Sequence, residues 1–372
     1  MRQAAGIARL GVEPAYRPDW FRQDAGSHIP LPPPDVAVSS DLPGAAVVWA
    51  ETAGGRLSLV SVDAEGGHIR YDWPRWRRFV LGEHYRTQTR PLYTRLPFHY
   101  HRIPGALRRL AARALLSGNA PTRDDAGFPG FPIEQGFELL ADVWARVGTT
   151  DAAPGVTAEV VLTHDIDTRE GFPWVRQTAE LELTRGFRSI WHVVGQGDPP
   201  DHAVLEWLVE RGCTVGLHGY NHDNRLAFLS ADQIRWRLDA CRPLIERYGI
   251  RAFRSPSWFR SDTLFRVLRD YVAVDYSRLD TDRSCPGGPG GCLWTRPFEL
   301  DGLTHVPTTV PFEDPLYWGC TPETLVAFWR PKIAWLRACG GGIVVNTHPE
   351  PQFSGNARML RAYAQLLDLL AE

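Results

Sequence analysis

From Ala45 onward, apolar residues recur in short runs separated by glycine turns. AAVVWAE (45–51), RLSLVSVD (56–63) and HIRYDW (68–73) read as short strands, with AGG and AEGG as turns between them. They predict a small β-meander. Before it, residues 1–42 are rich in Pro, Asp and Ser and read as extended or loop-like. PGALRRLAARALLS (104–117) predicts a helix, with Pro104 near its start and Gly118 just past its end. FELLADVWARVG (137–148) predicts a second helix, and DAAPG marks a boundary near residue 155.

Beyond that boundary the pattern changes to strand–helix–strand. Predicted strands are TAEVVLTHDID, RSIWHVVG, CTVGLHG, IRAFRSPSW, VAVDYS, THVPTTVP and GGIVVNTHPE. Helical stretches lie between them: HAVLEWLVERG, ADQIRWRLDACRPLIERYG ending at Gly249, SDTLFRVLRDY and TPETLVAFWRPKIAWLRACG. This alternation predicts parallel strands with crossover helices, in a (β/α) barrel or an open doubly wound sheet of about seven units. The strands end in Asp, His, Arg, Asp and His. In parallel α/β folds such ends converge on one face, where function sits.

The chain has 372 residues, enough for two domains: an amino-terminal α+β region over 1–150 and an α/β domain over 155–372. Hydrophobic residues make up 44% and the net charge is −2, so there is no global attraction to nucleic acid or to an anionic membrane. Positive charge comes almost entirely from arginine, with Lys332 the one lysine. The six cysteines (213, 241, 285, 292, 320 and 339) form no CxxC pair, which removes a zinc-knuckle reading. Cys285 and Cys292 flank a Gly/Pro-rich loop, and free thiols or a local bridge both fit them. Met1–Asp19 lacks an apolar signal-peptide core, and no apolar run is long enough for a bilayer. The expectation is a reduced, cytoplasmic protein.

Five polar clusters carry candidate chemistry. Asp165 and Asp167 sit two apart at the tip of an apolar strand, where acids are costly unless a metal, a cation or water meets them. A solvated loop or a helix cap would also account for them. His218 and His222, in HGYNH, are four apart and would share one face of a helical turn, a spacing that suits a divalent metal. Arg254, in RSPSW, could hold a carboxylate through a charge-assisted bond. Asp275 in VDYS and His348 in VNTHP end later strands. Each cluster alone also fits a surface or capping role.

Taken in order, these clusters resemble the five motifs of the polysaccharide deacetylase family (NodB homology, carbohydrate esterase family 4) over roughly residues 156–350. THDID resembles the variant in which the two acids are separated by one residue. The resemblance implies a distorted (β/α) barrel of about seven parallel strands with an amino-terminal α+β extension. It implies metal-dependent hydrolysis of an N-acetyl group on a sugar. Asp165 matches the general base, and Asp167, His218 and His222 match the metal ligands. Arg254 matches the arginine that orients the base, and Asp275 the acid paired with the general acid His348. Trp258 matches the residue whose backbone N–H meets the oxyanion. The ion is a divalent metal, zinc foremost, with cobalt, nickel, iron and manganese as alternatives. His164 stands where an aromatic is usual, which leaves a third metal contact open.

For the substrate, the resemblance points to a soluble nucleotide-linked or lipid-linked N-acylated sugar. A deformylase or another N-acyl hydrolase on a lipid-linked aminosugar is the nearest alternative, and a non-catalytic glycan-binding protein on the same fold is a second. The arginine- and aromatic-rich stretch 70–108 could grip a pyrophosphate, make peripheral membrane contact, or form a solvated face over an aromatic core.

Overall fold

The computed structural model describes residues 6–33, 36, 41–86, 88–95, 114, 130–148, 159–197, 199–283 and 290–372. The helix expected over 104–117, residue 114 excepted, and Cys285 lie outside them; Cys292 is buried with a free thiol. The first sheet is antiparallel: β1 (Ile7–Val12), β2 (His28–Pro30), β3 (Ala45–Thr52), β4 (Gly55–Asp63) and β5 (Gly66–Ile69), in the order β2-β1-β3-β4-β5. The expected meander is β3-β4-β5. β1 and β2 come from the stretch read as loop, because pairing with β3 satisfies a backbone whose local sequence signals only turns. HIRYDW does not stay a strand to its end. Asp72 accepts from the Arg75 N–H at 3.1 Å and caps a helix over Trp73–Leu81.

The second sheet has nine strands: β6 (Val160–Ile166), β7 (Ser189–Val193), β8 (Thr214–Leu217), β9 (Ala252–Phe253), β10 (Val274–Asp275), β11 (Phe298–Leu300), β12 (Leu303–His305), β13 (Val310–Pro311) and β14 (Ile343–Thr347). In the order β11-β12-β10-β9-β8-β7-β6-β14-β13, every pairing is parallel except β11 with β12. The run 303–311 pairs with β10 at one end and β14 at the other, and Leu279 bridges Thr308, so the sheet curls back on itself. The expected α/β alternation is present, with more strands than the seven or so read from sequence.

Other helices differ from expectation, and one over Phe172–Leu183 was not read from the sequence. The stretch 231–249 breaks at Cys241 into Ala231–Ala240 and Arg242–Tyr248, with Pro243 opening the second piece and Gly249 closing it at φ 58. A helix over Ala357–Ala371 was not anticipated, although Met359, Tyr363, Leu366, Leu367 and Leu370 place an apolar stripe on one face. The amino-terminal sheet does not form a separate core. Val48, Val60, Trp76 and Phe137 pack in one cluster with Cys292, Leu293, Trp294, Phe298 and Leu300 from the second region.

Part of the arginine- and aromatic-rich stretch is internal where it is described. Glu83 is buried and takes bonds from Arg260 (2.5 and 2.7 Å) and Arg278 (2.9 Å), with Arg86 at 3.0 Å. Trp76 is buried and donates to Pro30 O at 3.1 Å.

Candidate metal centre and its flanking acid and base

The strand period of two divides THDID between two faces. Thr163 and Asp165 face the inside of the curled sheet; His164 faces out. Its Nδ1 lies 2.7 Å from Thr347 Oγ1 and its Nε2 2.7 Å from Glu182 Oε1, and the ring stacks on Trp191 at 3.9 Å. His164 is therefore no metal contact; it is a buried packing residue with both nitrogens satisfied.

Asp167, just past β6, meets His218 and His222 beyond the end of β8. Asp167 Oδ1 is 3.2 Å from His218 Nε2 and 3.1 Å from His222 Nε2. The two rings are not carried on a helical turn as the spacing suggested. Residues 218–222 form an irregular loop, with Gly219 at φ 66 and His222 at φ 54. The turn brings the ring centroids to 5.1 Å by a different backbone route. His218 Nδ1 lies 3.0 Å from the Arg254 carbonyl, which fixes the proton there and leaves Nε2 as a lone pair. Asp167 Oδ1 and His218 Nε2 are buried and make no hydrogen bond among the described residues.

One carboxylate oxygen and two imidazole nitrogens within 4.8 Å of one another match the ligand set of a divalent ion, and the backbone-bonded Nδ1 supplies its usual outer partner. The orphaned atoms are the observation that such an ion explains. Burial raises the Asp167 carboxyl, but His222, His218 and His348 outweigh it and hold it well below the usual range.

Beside this cradle, Asp165 is buried among donors. Arg254 Nη1 donates to its Oδ1 at 3.0 Å, and Asn346 Nδ2 to its Oδ2 at 3.1 Å. Arg254 also donates to Tyr276 O (3.1 Å), Thr308 Oγ1 (3.0 Å) and the side-chain Oδ1 of Asn346, so all three nitrogens of the buried guanidinium are engaged. Burial favours the neutral acid at Asp165, but Arg254 and the histidines 218 and 192 overcome it and keep the carboxyl ionised, well below 3.8. The arginine partner expected for Asp165 is thus in place.

His348 Nε2 stands 3.8 Å from Asp165 Oδ2, on the side of the cradle open to solvent. Its partner is not Asp275. His348 Nδ1 donates to Glu313 Oε2 at 2.7 Å, and the His348 N–H to Glu313 Oε1 at 2.9 Å. Burial would lower the imidazole, but Glu313, then Asp167 and Asp165, raise it well above 6.5. Asp275 bonds His305 Nδ1 (2.8 Å), Ser277 Oγ (2.5 Å) and the Ser277 N–H (3.1 Å) instead. It ends β10, whose nearest loop is 254–258: the Ser255 N–H donates to Ser277 Oγ at 2.8 Å. Asp275 supports that loop from behind and does not touch His348.

Trp258 is also placed differently. Its N–H donates to Ser255 O at 3.1 Å, so it is already used within the loop. Its ring packs 5.0 Å from the Arg254 guanidinium. Ser257 and Trp258 both have left-handed backbones, at φ 52 and 59.

The sequence reading missed Glu313 and His192. Glu313 stands two residues past β13, so the strand-end rule that selected the other acids could have found it. His192 interrupts an apolar strand, and its Nδ1 lies 3.2 Å from Asp165 Oδ1.

No protein-family model matches the chain, and no curated protein matches it. Solved structures similar to it are polysaccharide deacetylases and members of carbohydrate esterase family 4. A protein from Mycobacterium smegmatis described as a polysaccharide deacetylase is 19% identical, with a TM-score of 0.49, covering 60% of this chain and 86% of its own. A family 4 carbohydrate esterase from Streptomyces lividans, in complex with acetate, is 19% identical, with a TM-score of 0.39 and coverage of 57% and 88%. BA3943 of Bacillus anthracis, a family 4 pseudoenzyme, is 17% identical, with a TM-score of 0.41 and coverage of 57% and 60%. Among the described residues, no helix is long and apolar enough to cross a membrane.

Proposed function

We propose that this protein is a metal-dependent amide hydrolase that removes an N-acetyl group from a sugar, with a nucleotide- or lipid-linked glycan precursor as substrate. One observation carries the reading. An Asp167–His218–His222 cradle, in which Asp167 Oδ1 and His218 Nε2 make no hydrogen bond among the described residues, is flanked by an ionised, arginine-held carboxylate on one side and a carboxylate-held imidazole on the other.

Asp167, His218 and His222 would hold the ion, which supplies electrophilic polarisation of the acyl carbonyl and acidification of water. Asp165 takes the proton from the water that attacks the carbonyl carbon. Arg254 and Asn346 keep its carboxylate aimed and charged. The carbon–nitrogen bond then breaks, and the departing nitrogen takes the His348 Nε2 proton, because an amine leaves poorly as an anion. Glu313 keeps His348 protonated until then. Base and acid start in opposite protonation states because their neighbours carry opposite charge. The products are a free amine and a carboxylate.

The test is to incubate the metal-loaded protein with a panel of nucleotide- and lipid-linked N-acetyl and N-formyl sugars and to look by mass spectrometry for loss of the acyl group. Deacetylation of one class supports the reading. Release of formate alone supports the deformylase alternative, and an unchanged panel refutes both.

A further inference from the structure

His192 has no role in the scheme above, yet it sits against the proposed base. It lies on β7, next to β6, and is completely buried. Its slot exists because the neighbour on β8 is Gly216, where any Cβ would run into the imidazole. Tyr276 closes another side, 5.6 Å between ring centres. Nδ1 is 3.2 Å from Asp165 Oδ1, but neither ring nitrogen makes a hydrogen bond of good geometry among the described residues.

A buried polar group left in this state costs stability. A phenylalanine would fill the slot without that cost, so packing alone gives no reason for an imidazole. Burial, with Arg254 and His218, lowers this ring to about 4 against the pull of Asp165. It is therefore neutral near pH 7 and carries one N–H. Hydrogen bonds in unliganded sites are often long or poorly aligned and tighten in the working complex.

We propose that His192 is a positioning residue for Asp165: its Nδ1–H closes on Oδ1, fixes the carboxylate rotamer together with Arg254, and leaves Oδ2 turned toward the attacking water. Oδ2 is the oxygen that faces His348 Nε2. This inference rests on the hydrolase reading for its consequence and on local geometry for its contact.

Two variants of the full, metal-loaded chain test it. His192→Phe fills the slot without a donor; His192→Asn keeps an N–H near the Nδ1 position. Outer partners of metal ligands are commonly worth about 10- to 100-fold, and a partner of the carboxylate beside them is expected to act on the same scale. His192→Phe should lose that much kcat with KM and metal content unchanged and a melting temperature no lower than the wild type's, and His192→Asn should recover most of the kcat. A His192→Phe enzyme with wild-type kcat, or a His192→Asn enzyme no better than it, overturns the proposal. A second readout does not need turnover. Nitrogen-15 spectra of the histidines, with His192 assigned by its loss in His192→Phe, should show the Nδ1–H tautomer, and its Nδ1 signal should move in Asp165→Ala. The Nε2–H tautomer, or an unmoved signal, contradicts the contact. A wild-type chain inactive on every sugar would sink the hydrolase reading while the spectra still decide the contact.

Discussion

Glu313 accepts the His348 Nδ1 proton at 2.7 Å and the His348 backbone N–H at 2.9 Å. One carboxylate thus fixes both the ring and the backbone of the proposed acid. Because Glu313 helps raise His348 well above 6.5, the protonated form persists through neutral pH. Activity should be lost only as pH rises past that elevated value. In Glu313→Gln the loss should begin at lower pH, and kcat at neutral pH should fall. A pH profile of kcat for the two proteins checks this; coincident basic limbs would remove Glu313 from the account. Asp275→Asn should leave that limb in place, since Asp275 bonds His305 and Ser277.

Asp165 and Asp167 are two residues apart but should fail differently. Asp165→Asn removes the proposed base, and general-base catalysis is worth about 10²–10⁴-fold, so kcat should drop by that order while metal content stays at the wild-type value. Asp167→Ala should lose activity by losing the ion. Metal analysis beside rate measurements separates the two, and full activity in Asp165→Asn would refute its role.

Glu83 ties the amino-terminal region to the second region through Arg260 and Arg278, with Arg86 of its own segment beside them. Removing one partner of a buried charge cluster typically costs about 3–5 kcal/mol, so Glu83→Gln should lower stability by that order in chemical denaturation. Burial opposes ionisation of Glu83, but the arginines overcome it and depress its pKa far below 4.5. A depressed acid contributes stability that is complete above its ordinary value and is lost as pH falls. The wild type should therefore lose stability below about pH 4.5 with a proton dependence that Glu83→Gln lacks. Parallel acid dependence in both proteins would contradict this.

Much of the site is legible in the sequence. Asp165, Asp167, His218, His222, Arg254 and His348 each end or follow a strand, and parallel strands bring such ends together. What was not legible depends on side-chain direction and on loops. His164 and Asp165 differ only in strand parity, which sends one to Glu182 and the other to Arg254. The choice between Asp275 and Glu313 as partner of His348 depends on which strand lies beside β14. β13 does, and the run 303–311 stands between β14 and β10. The irregular loop 218–222 and the already bonded Trp258 N–H follow from left-handed backbones at non-glycine residues, which composition does not signal. β1 and β2 were hidden because their order comes from pairing with β3.

The central claim is that Asp167, His218 and His222 close on one divalent ion. Stripped full-length protein should be dialysed against zinc, and bound metal counted for the wild type and for Asp167→Ala, His218→Ala and His222→Ala. The account predicts a single equivalent in the wild type and a large loss in each variant, with folding retained. A wild type that binds none, or variants that bind as the wild type does, would contradict it.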